Sequence, residues 1–221
     1  MNAWEDLRYL TCSVLPVRVA CDLSCPFCFS RSSVSALRGE RVAWDEVLLD
    51  EYFRDAKARG ATRLVITGGG EPLLRPEVVV ELVARGRGFF DEVACFTNGT
   101  RLDAGLAARL ADAGLSYLCW SRHAADDARN RALMGEGAPD AATFLEAAQG
   151  LKVRATCVMV KGEVEDADGA WRYIEALRPL GVREFTFKHT YVAYERSVFA
   201  GSAQDSWARA HQVEQDPFVG Q

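Results

Sequence analysis

The sequence predicts an α/β protein, with a parallel sheet and helices outside it. Two observations carry this. Short runs rich in Val, Ile, Leu and Phe alternate six times with longer stretches whose apolar residues recur at helical period. Glycine, proline and asparagine stand at the joins, where one element has to end before the next begins. The elements follow in order. Val14 to Ala20 reads as a first strand that delivers the chain into a cysteine loop. Trp44, Val47, Leu48, Tyr52 and Ala56 give a helix from Trp44 to Ala58, with Gly60 as its stop. Arg63 to Thr67 is a second strand, ended by Gly68, Gly69 and Gly70. Pro76 opens a helix that runs to Ala84. Asp91 to Thr97 is a third strand, stopped by Asn98 and Gly99. Asp103 caps a helix to Ala113, and Gly114 ends it. A fourth strand covers Ser116 to Trp120. Helices are expected from Asp126 to Met134 and from Ala141 to Gln149. Val153 to Val160 is a fifth strand, Asp168 to Leu177 a helix, and Glu184 to Lys188 a sixth strand. Six such units fit an open doubly wound sheet or an incomplete barrel, and the pattern alone leaves both open.

Composition narrows the class. A chain of 221 residues is long enough for one sizeable core and short for two. Hydrophobic residues make up 49% and charged residues 26%, as in ordinary globular proteins. The net charge of −5 argues against a general nucleic-acid surface. No apolar run is long enough to span a bilayer, so no membrane partner is expected. The acidic start, Met1-Asn-Ala-Trp-Glu-Asp, does not read as an export signal. Seven cysteines, an odd number with no framework spacing, fit a reducing, cytoplasmic location. Beyond Tyr191 the alternation stops, so residues 1–189 are expected to form the core. Residues 190–221 then form a C-terminal extension, either a lid or the start of a longer region.

Three cysteines, Cys21, Cys25 and Cys28, stand within eight residues in C-x3-C-x2-C spacing. Three thiolates can hold three irons of a [4Fe-4S] cube and leave the fourth iron open for chemistry. A zinc knuckle from Cys25 and Cys28 would need a second Cys or His pair at similar spacing, and there is none. Pro26 favours a turn over a packed element. Cys12, Cys95, Cys119 and Cys157 sit in or beside strand-like runs and read as core, with Cys12 placed before the first strand. Strand two ends in Gly-Gly-Glu-Pro, where glycine admits a close backbone approach and Glu71 can accept from an ammonium. Strand three ends in Thr97-Asn98-Gly99, and Asn98-Gly99 is also a common turn pair. Strand four ends in Ser121-Arg122-His123. Arg122, Lys161 and Lys188 all fall at strand ends, where cations facing one mouth would favour an anion.

The cysteine loop, with aromatic Phe27 just before Cys28, resembles the signature of the radical S-adenosylmethionine (radical SAM) superfamily. The Gly69-Gly70-Glu71-Pro72 run is similar to that family's element for the amino group of SAM, and Thr97-Asn98-Gly99 to a segment of members such as the molybdenum-cofactor cyclase. The resemblance spans Val14 to His189 and implies a partial (β/α)6 barrel of parallel strands with outer helices. It implies that Cys21, Cys25 and Cys28 bind a [4Fe-4S] cluster. It further implies that Phe27, Gly69, Gly70, Glu71, Thr97, Ser121 and Lys188 contact SAM, with Phe27 near its adenine. His123 stands where an aspartate is common, and is a candidate proton donor or substrate contact. The activity implied is reductive cleavage of SAM and hydrogen abstraction by a 5′-deoxyadenosyl radical, fed by a flavodoxin- or ferredoxin-type donor. A small-molecule substrate of nucleoside, nucleotide or sugar-acid type is expected, in cofactor or natural-product synthesis. A glycyl-radical activase, a peptide-modifying maturase and an electron-transfer iron–sulfur protein are the alternatives.

Overall fold

The computed structural model describes residues 7–32 and 48–214. Six strands form one sheet: β1 (Thr11–Val14), β2 (Arg63–Ile66), β3 (Glu92–Thr97), β4 (Tyr117–Ser121), β5 (Val153–Met159) and β6 (Glu184–His189). Each strand pairs in parallel with the next, in the order β1-β2-β3-β4-β5-β6. That order settles the architecture. A doubly wound sheet reverses direction at a switch point and places helices on both faces. An unbroken order with crossovers of one hand places every helix on one face and curls the sheet around the other. The result is an open, partial (β/α)6 barrel whose first and last strands do not pair.

The helices are α1 (Leu49–Ala58), α2 (Pro76–Gly86), α3 (Ala104–Asp112), α4 (Asp127–Met134), α5 (Ala141–Ala147), α6 (Ala167–Leu177) and α7 (Ala203–His211). Short polar residues start several of them. The Asp103, Asp126, Asp166 and Ser202 side chains accept from the backbone N–H of Leu106, Arg129, Gly169 and Asp205. The expected residues Trp44 to Val47 of the first helix lie outside the described residues.

The pleat sends alternate strand residues to opposite faces. Leu64, Ile66, Val93, Cys95, Leu118, Trp120, Ala155 and Cys157 point outward and form the main core with the helices. Trp120 stacks on Phe144 of α5, with ring centroids 4.2 Å apart. The inner face begins with ions. Arg63 pairs with Glu92 at 2.6 Å, and Glu184 takes Arg154 at 2.7 Å together with Lys152. The Arg154 guanidinium lies 4.2 Å from the centre of the Tyr117 ring. Above this belt, Ala94, Tyr117 and Cys119 pack with Phe96. Side chains thus fill the inner face near the strand starts, and the cavity lies toward the strand ends.

Two expectations need correction. The first strand is Thr11–Val14, four residues rather than the run to Ala20, because Pro16 has no N–H to give a ladder. Cys12 therefore lies within β1, where it is buried against the helices. Beyond Tyr191, where the alternation stops, one further helix, α7, follows Ser202.

Candidate functional site

The strand ends enclose a cavity of about 420 Å³ lined by Cys21, Cys25 and Cys28 together with Thr67, Gly70, Glu71, Thr97, Ser121, His123 and Lys188. With Thr156 and Val158 of β5, the fold brings residues to one mouth from all six units. A second hollow of about 550 Å³, lined by Glu175, Arg178, Pro179 and Arg183 beside the C-terminal end of α6, carries no cysteine or histidine.

The cysteine loop is pinned at both ends. At its start, Gly69 and Glu71 donate their N–H groups to the carbonyls of Val17 and Ala20, at 3.1 and 2.9 Å. A Cβ on Gly70 would lie 1.9 Å from the Ala20 carbonyl oxygen, so only glycine admits this approach. Gly69 acts through that backbone bond and is absent from the cavity wall. On the far side, Leu23 packs with Met134 and Ala138, and the Ser24 N–H donates to the Met134 carbonyl at 3.0 Å. The loop itself turns through the Cys28 N–H to the Cys25 carbonyl, 3.2 Å, and the Arg31 N–H to the Cys28 carbonyl, 3.1 Å.

Glu71 does not point to water. It is 3% exposed and gathers three donors. Leu73 N–H and Thr97 Oγ1–H donate to Oε1 at 3.0 and 2.7 Å, and Asn98 N–H donates to Oε2 at 2.7 Å. Burial pushes its carboxyl up, while these donors pull the other way. One acceptor direction on Oε2 remains for a bound cation.

His123 is 5% exposed. Its Nδ1 accepts the Val158 N–H at 2.9 Å, so the ring proton sits on Nε2. Burial first, then the charges of Lys188 and Arg122, push it down to about 3. It is therefore a neutral donor and not a source of imidazolium. The Phe27 ring meets it edge-on at 4.7 Å and lies 5.5 Å from Trp207 of α7. Phe27 is thus held between the barrel wall and the C-terminal extension. Trp207 in turn stacks on His211, and the His211 carbonyl accepts the Lys161 N–H at 2.9 Å.

The expected rim cations separate. Lys188 does line the cavity, its Nζ 4.7 Å from the centre of the Phe96 ring. Arg122 does not face the mouth. It is fully buried behind β4, lies over Trp120, and donates through Nη2 to the Ala125 carbonyl and to Asp127. The pleat explains this, because Ser121 and His123 face inward and the residue between them must face out. Lys161 is exposed and absent from the cavity wall.

Several cavity residues escaped the sequence reading, Thr156 among them, and Asn98 was read only as part of a turn and of the family-like segment. Thr156 on β5 is 4% exposed, faces inward, and its hydroxyl has no hydrogen-bond partner among the described residues. Asn98, readable as half of a turn pair, donates its amide to Asp22 and to Cys21. Alternation along β5 would have placed Thr156 inward, but nothing in the sequence marks its hydroxyl as unpartnered.

The donor set fits an iron–sulfur cube. The other four cysteines are buried in the core, so the loop supplies three thiols and no fourth. Among the described residues no three His, Cys, Asp or Glu side chains converge as a single metal ion requires. A cube spreads its thiolates over different irons and asks for a wider triangle. Burial and the neighbouring thiolates push Cys25 up to about 12, so a thiolate there needs a cation beside it.

The comparisons agree with this geometry. A family model for the radical SAM superfamily matches residues 15–170. The GTP 3′,8-cyclase of Erythrobacter litoralis is 36% identical over 165 residues, which cover 67% of this chain and 45% of that protein. A probable GTP 3′,8-cyclase of Methanothermobacter thermautotrophicus is 34% identical over 102 residues, covering 46% of this chain and 31% of that one. The chain thus spans less than half the length of these curated relatives. Among solved structures, Streptococcus suis SuiB bound to S-adenosylmethionine matches with a TM-score of 0.63 at 21% identity, covering 86% of this chain and 43% of that one. HydG, a maturase of the [FeFe]-hydrogenase, matches with a TM-score of 0.60 at 12% identity, covering 87% of this chain and 46% of that one. Both share the fold.

Proposed function

Because this chain belongs to the radical SAM superfamily, an enzyme family that uses a [4Fe-4S] cluster and SAM, we propose that it acts on a small anionic molecule of nucleotide type. One observation carries the substrate class. Opposite the cysteines, the cavity wall is built of donors: Ser121, the Nε2–H of His123, the unpartnered Thr156 hydroxyl and Lys188. Among the described residues Glu71 is the sole carboxylate in that wall, and its oxygens already hold three donors. Such a wall suits phosphate, carboxylate or carbonyl oxygens. The names of the two cyclase relatives support a nucleotide.

The roles divide as follows. Cys21, Cys25 and Cys28 hold the cluster. The cluster they would hold would supply an electron for reductive cleavage of SAM and so the means of hydrogen abstraction from a substrate. Glu71 offers its free acceptor direction to the SAM ammonium, while Gly70, Thr97 and Ser121 let the cofactor lie close to the strand ends. Phe27, held between His123 and Trp207, presents an apolar face toward adenine. Lys188 and Thr156 take the substrate's anionic end. His123 donates a hydrogen bond and transfers no proton near neutral pH. Residues 1–189 act as the core, and the extension, through Trp207, covers the cysteine loop and excludes water. A flavodoxin- or ferredoxin-type protein in a reducing cytoplasm supplies the electrons. No helix among the described residues is long and apolar enough to cross a membrane.

The test is anaerobic reconstitution followed by reduction in the presence of SAM with GTP, other nucleotides or a synthetic peptide. Formation of 5′-deoxyadenosine should rise with a nucleotide, and Thr156→Val and Lys188→Met should raise that nucleotide's KM. Stimulation by peptide alone would overturn the substrate class.

A further inference from the structure

The three cysteines are not equivalent. The sulfur of Cys21 receives two N–H donors, the Leu23 backbone at 3.4 Å and the Asn98 Nδ2 at 3.6 Å. Among the described residues, Cys28 has no such donor, and the Cys25 sulfur faces the Met134 carbonyl at 3.9 Å. We propose that Asn98 is a positioning residue for the cluster, and that its amide N–H to Cys21 raises the cluster's reduction potential. The proposal rests on the cluster reading of the site and goes beyond it, since that reading gives Asn98 no part.

The amide can face only one way. Its Oδ1 accepts from the Thr100 backbone N–H at 2.9 Å, and a backbone amide can only donate. Its Nδ2 meets the Asp22 carboxylate at 3.0 Å, which accepts. One Nδ2 hydrogen goes to Asp22, and the second is left for the Cys21 sulfur. The residue is 6% exposed, and its backbone N–H is fixed on Glu71 Oε2 at 2.7 Å. Asp22 is in turn held by Thr100 at 2.8 Å and by Arg101 at 2.7 Å. The donor is therefore fixed from both sides before any cluster binds.

The electronic consequence follows from charge. Reduction adds an electron that the cluster shares with its thiolates. An N–H aimed at a thiolate stabilises the more negative, reduced form and so raises the potential. Such a bond in a buried setting is worth about tenfold in the reduction equilibrium, or ~59 mV for a one-electron couple. The link also couples two jobs: Glu71 aligns strand three, and strand three sets the electron affinity at Cys21.

The experiment measures the potential of the reconstituted protein by anaerobic redox titration followed by EPR. Iron and sulfide are quantified first. Asn98→Leu keeps the side-chain shape without the donor, and Asn98→Asp keeps the acceptor without it. Asn98→Leu should lower the potential by about tenfold in equilibrium terms, and Asn98→Asp, which also adds a negative charge, by at least as much. Thr100→Val removes one of the two groups that hold Asp22 and leaves the Asn98 amide in place, so its potential should shift by less than that of Asn98→Leu. Equal potentials in Asn98→Leu and wild type, both fully loaded, would overturn the proposal. So would an equal shift in Thr100→Val. If the Asn98 variants take up no iron, wild type grown with 15N-asparagine decides. Of its three asparagines, Asn2, Asn98 and Asn130, only Asn98 touches a loop cysteine among the described residues. Pulsed EPR should show a 15N coupling to the reduced cluster, and its absence would overturn the proposal. A wild type that binds no iron at all would instead remove the cluster reading itself.

Discussion

His123 supplies a prediction that can be worked through. Between its ordinary value near 6.5 and its folded value of about 3, the unfolded chain binds a proton there and the folded chain does not. Stability is therefore complete above pH 6.5 and is lost as the pH falls. Between pH 7.5 and 5.5 the loss from this one group is about 1.4 kcal/mol, and any folded value below about 4 gives the same figure. The state is also visible directly. At pH 5 an unperturbed imidazole is about 97% protonated, whereas one with a value near 3 is about 1% protonated. Ring-labelled histidine and carbon–proton NMR under anaerobic conditions report this. The chain has three histidines, and His123→Gln identifies the resonance while Gln still accepts from Val158 N–H. The resonance should stay neutral, with its proton on Nε2, down to pH 5. In urea, His123→Gln should lose about 1.4 kcal/mol less than wild type over that interval. A midpoint near 6.5, or a proton on Nδ1, would refute the argument.

Three substitutions probe the supports of the site. Gly70→Ala sets a methyl against the Ala20 carbonyl, so the loop must shift, and cluster content after reconstitution should fall well below wild type. Glu71→Ala orphans the Asn98 and Leu73 N–H groups; it should lower stability by about 2–5 kcal/mol and weaken SAM binding measured by equilibrium dialysis. Arg122 is a buried charge whose Nε and Nη1 have no hydrogen-bond partner among the described residues. Arg122→Met should therefore leave urea stability unchanged or raise it, whereas Asp127→Ala, which strands the charge, should lower it.

The parts of the molecule that could be read from the chain are those that repeat. Alternation of strand and helix placed β2 to β6 within a residue or two and caught only Val14 of β1, because each unit must bury an apolar stripe against the next. Asp103 and Pro76 announced helix starts through chemistry local to the backbone. The cysteine spacing and the Gly-Gly-Glu-Pro run were legible because their functions demand those residue types. Long-range outcomes were not. Nothing near Arg122 in sequence says that it faces outward; the register of β4 decides that, with Ser121 and His123 turned to the cavity. Val14 to Ala20 looked like strand from its valines, yet Pro16 ends the ladder, and Val17 and Ala20 spend their carbonyls on the glycine turn. The helix Ala203–His211 was missed because its apolar face is narrow, and it is ordered by tertiary contacts: Asp205 accepts from Ala193 and Gly201, and Trp207 reaches Phe27. Asn98 passed for a turn residue because its sulfur partner lies 77 positions away.

The central claim is a cube held by three thiolates with its fourth iron open to SAM. The direct measurement is iron and sulfide content of anoxically reconstituted protein, followed by EPR of the reduced sample with and without SAM. About four irons and four sulfides per chain are expected, with a spectrum that changes when SAM is added and a cluster that Cys25→Ala cannot hold. Protein that takes up no iron, or a reduced spectrum indifferent to SAM, would contradict the account.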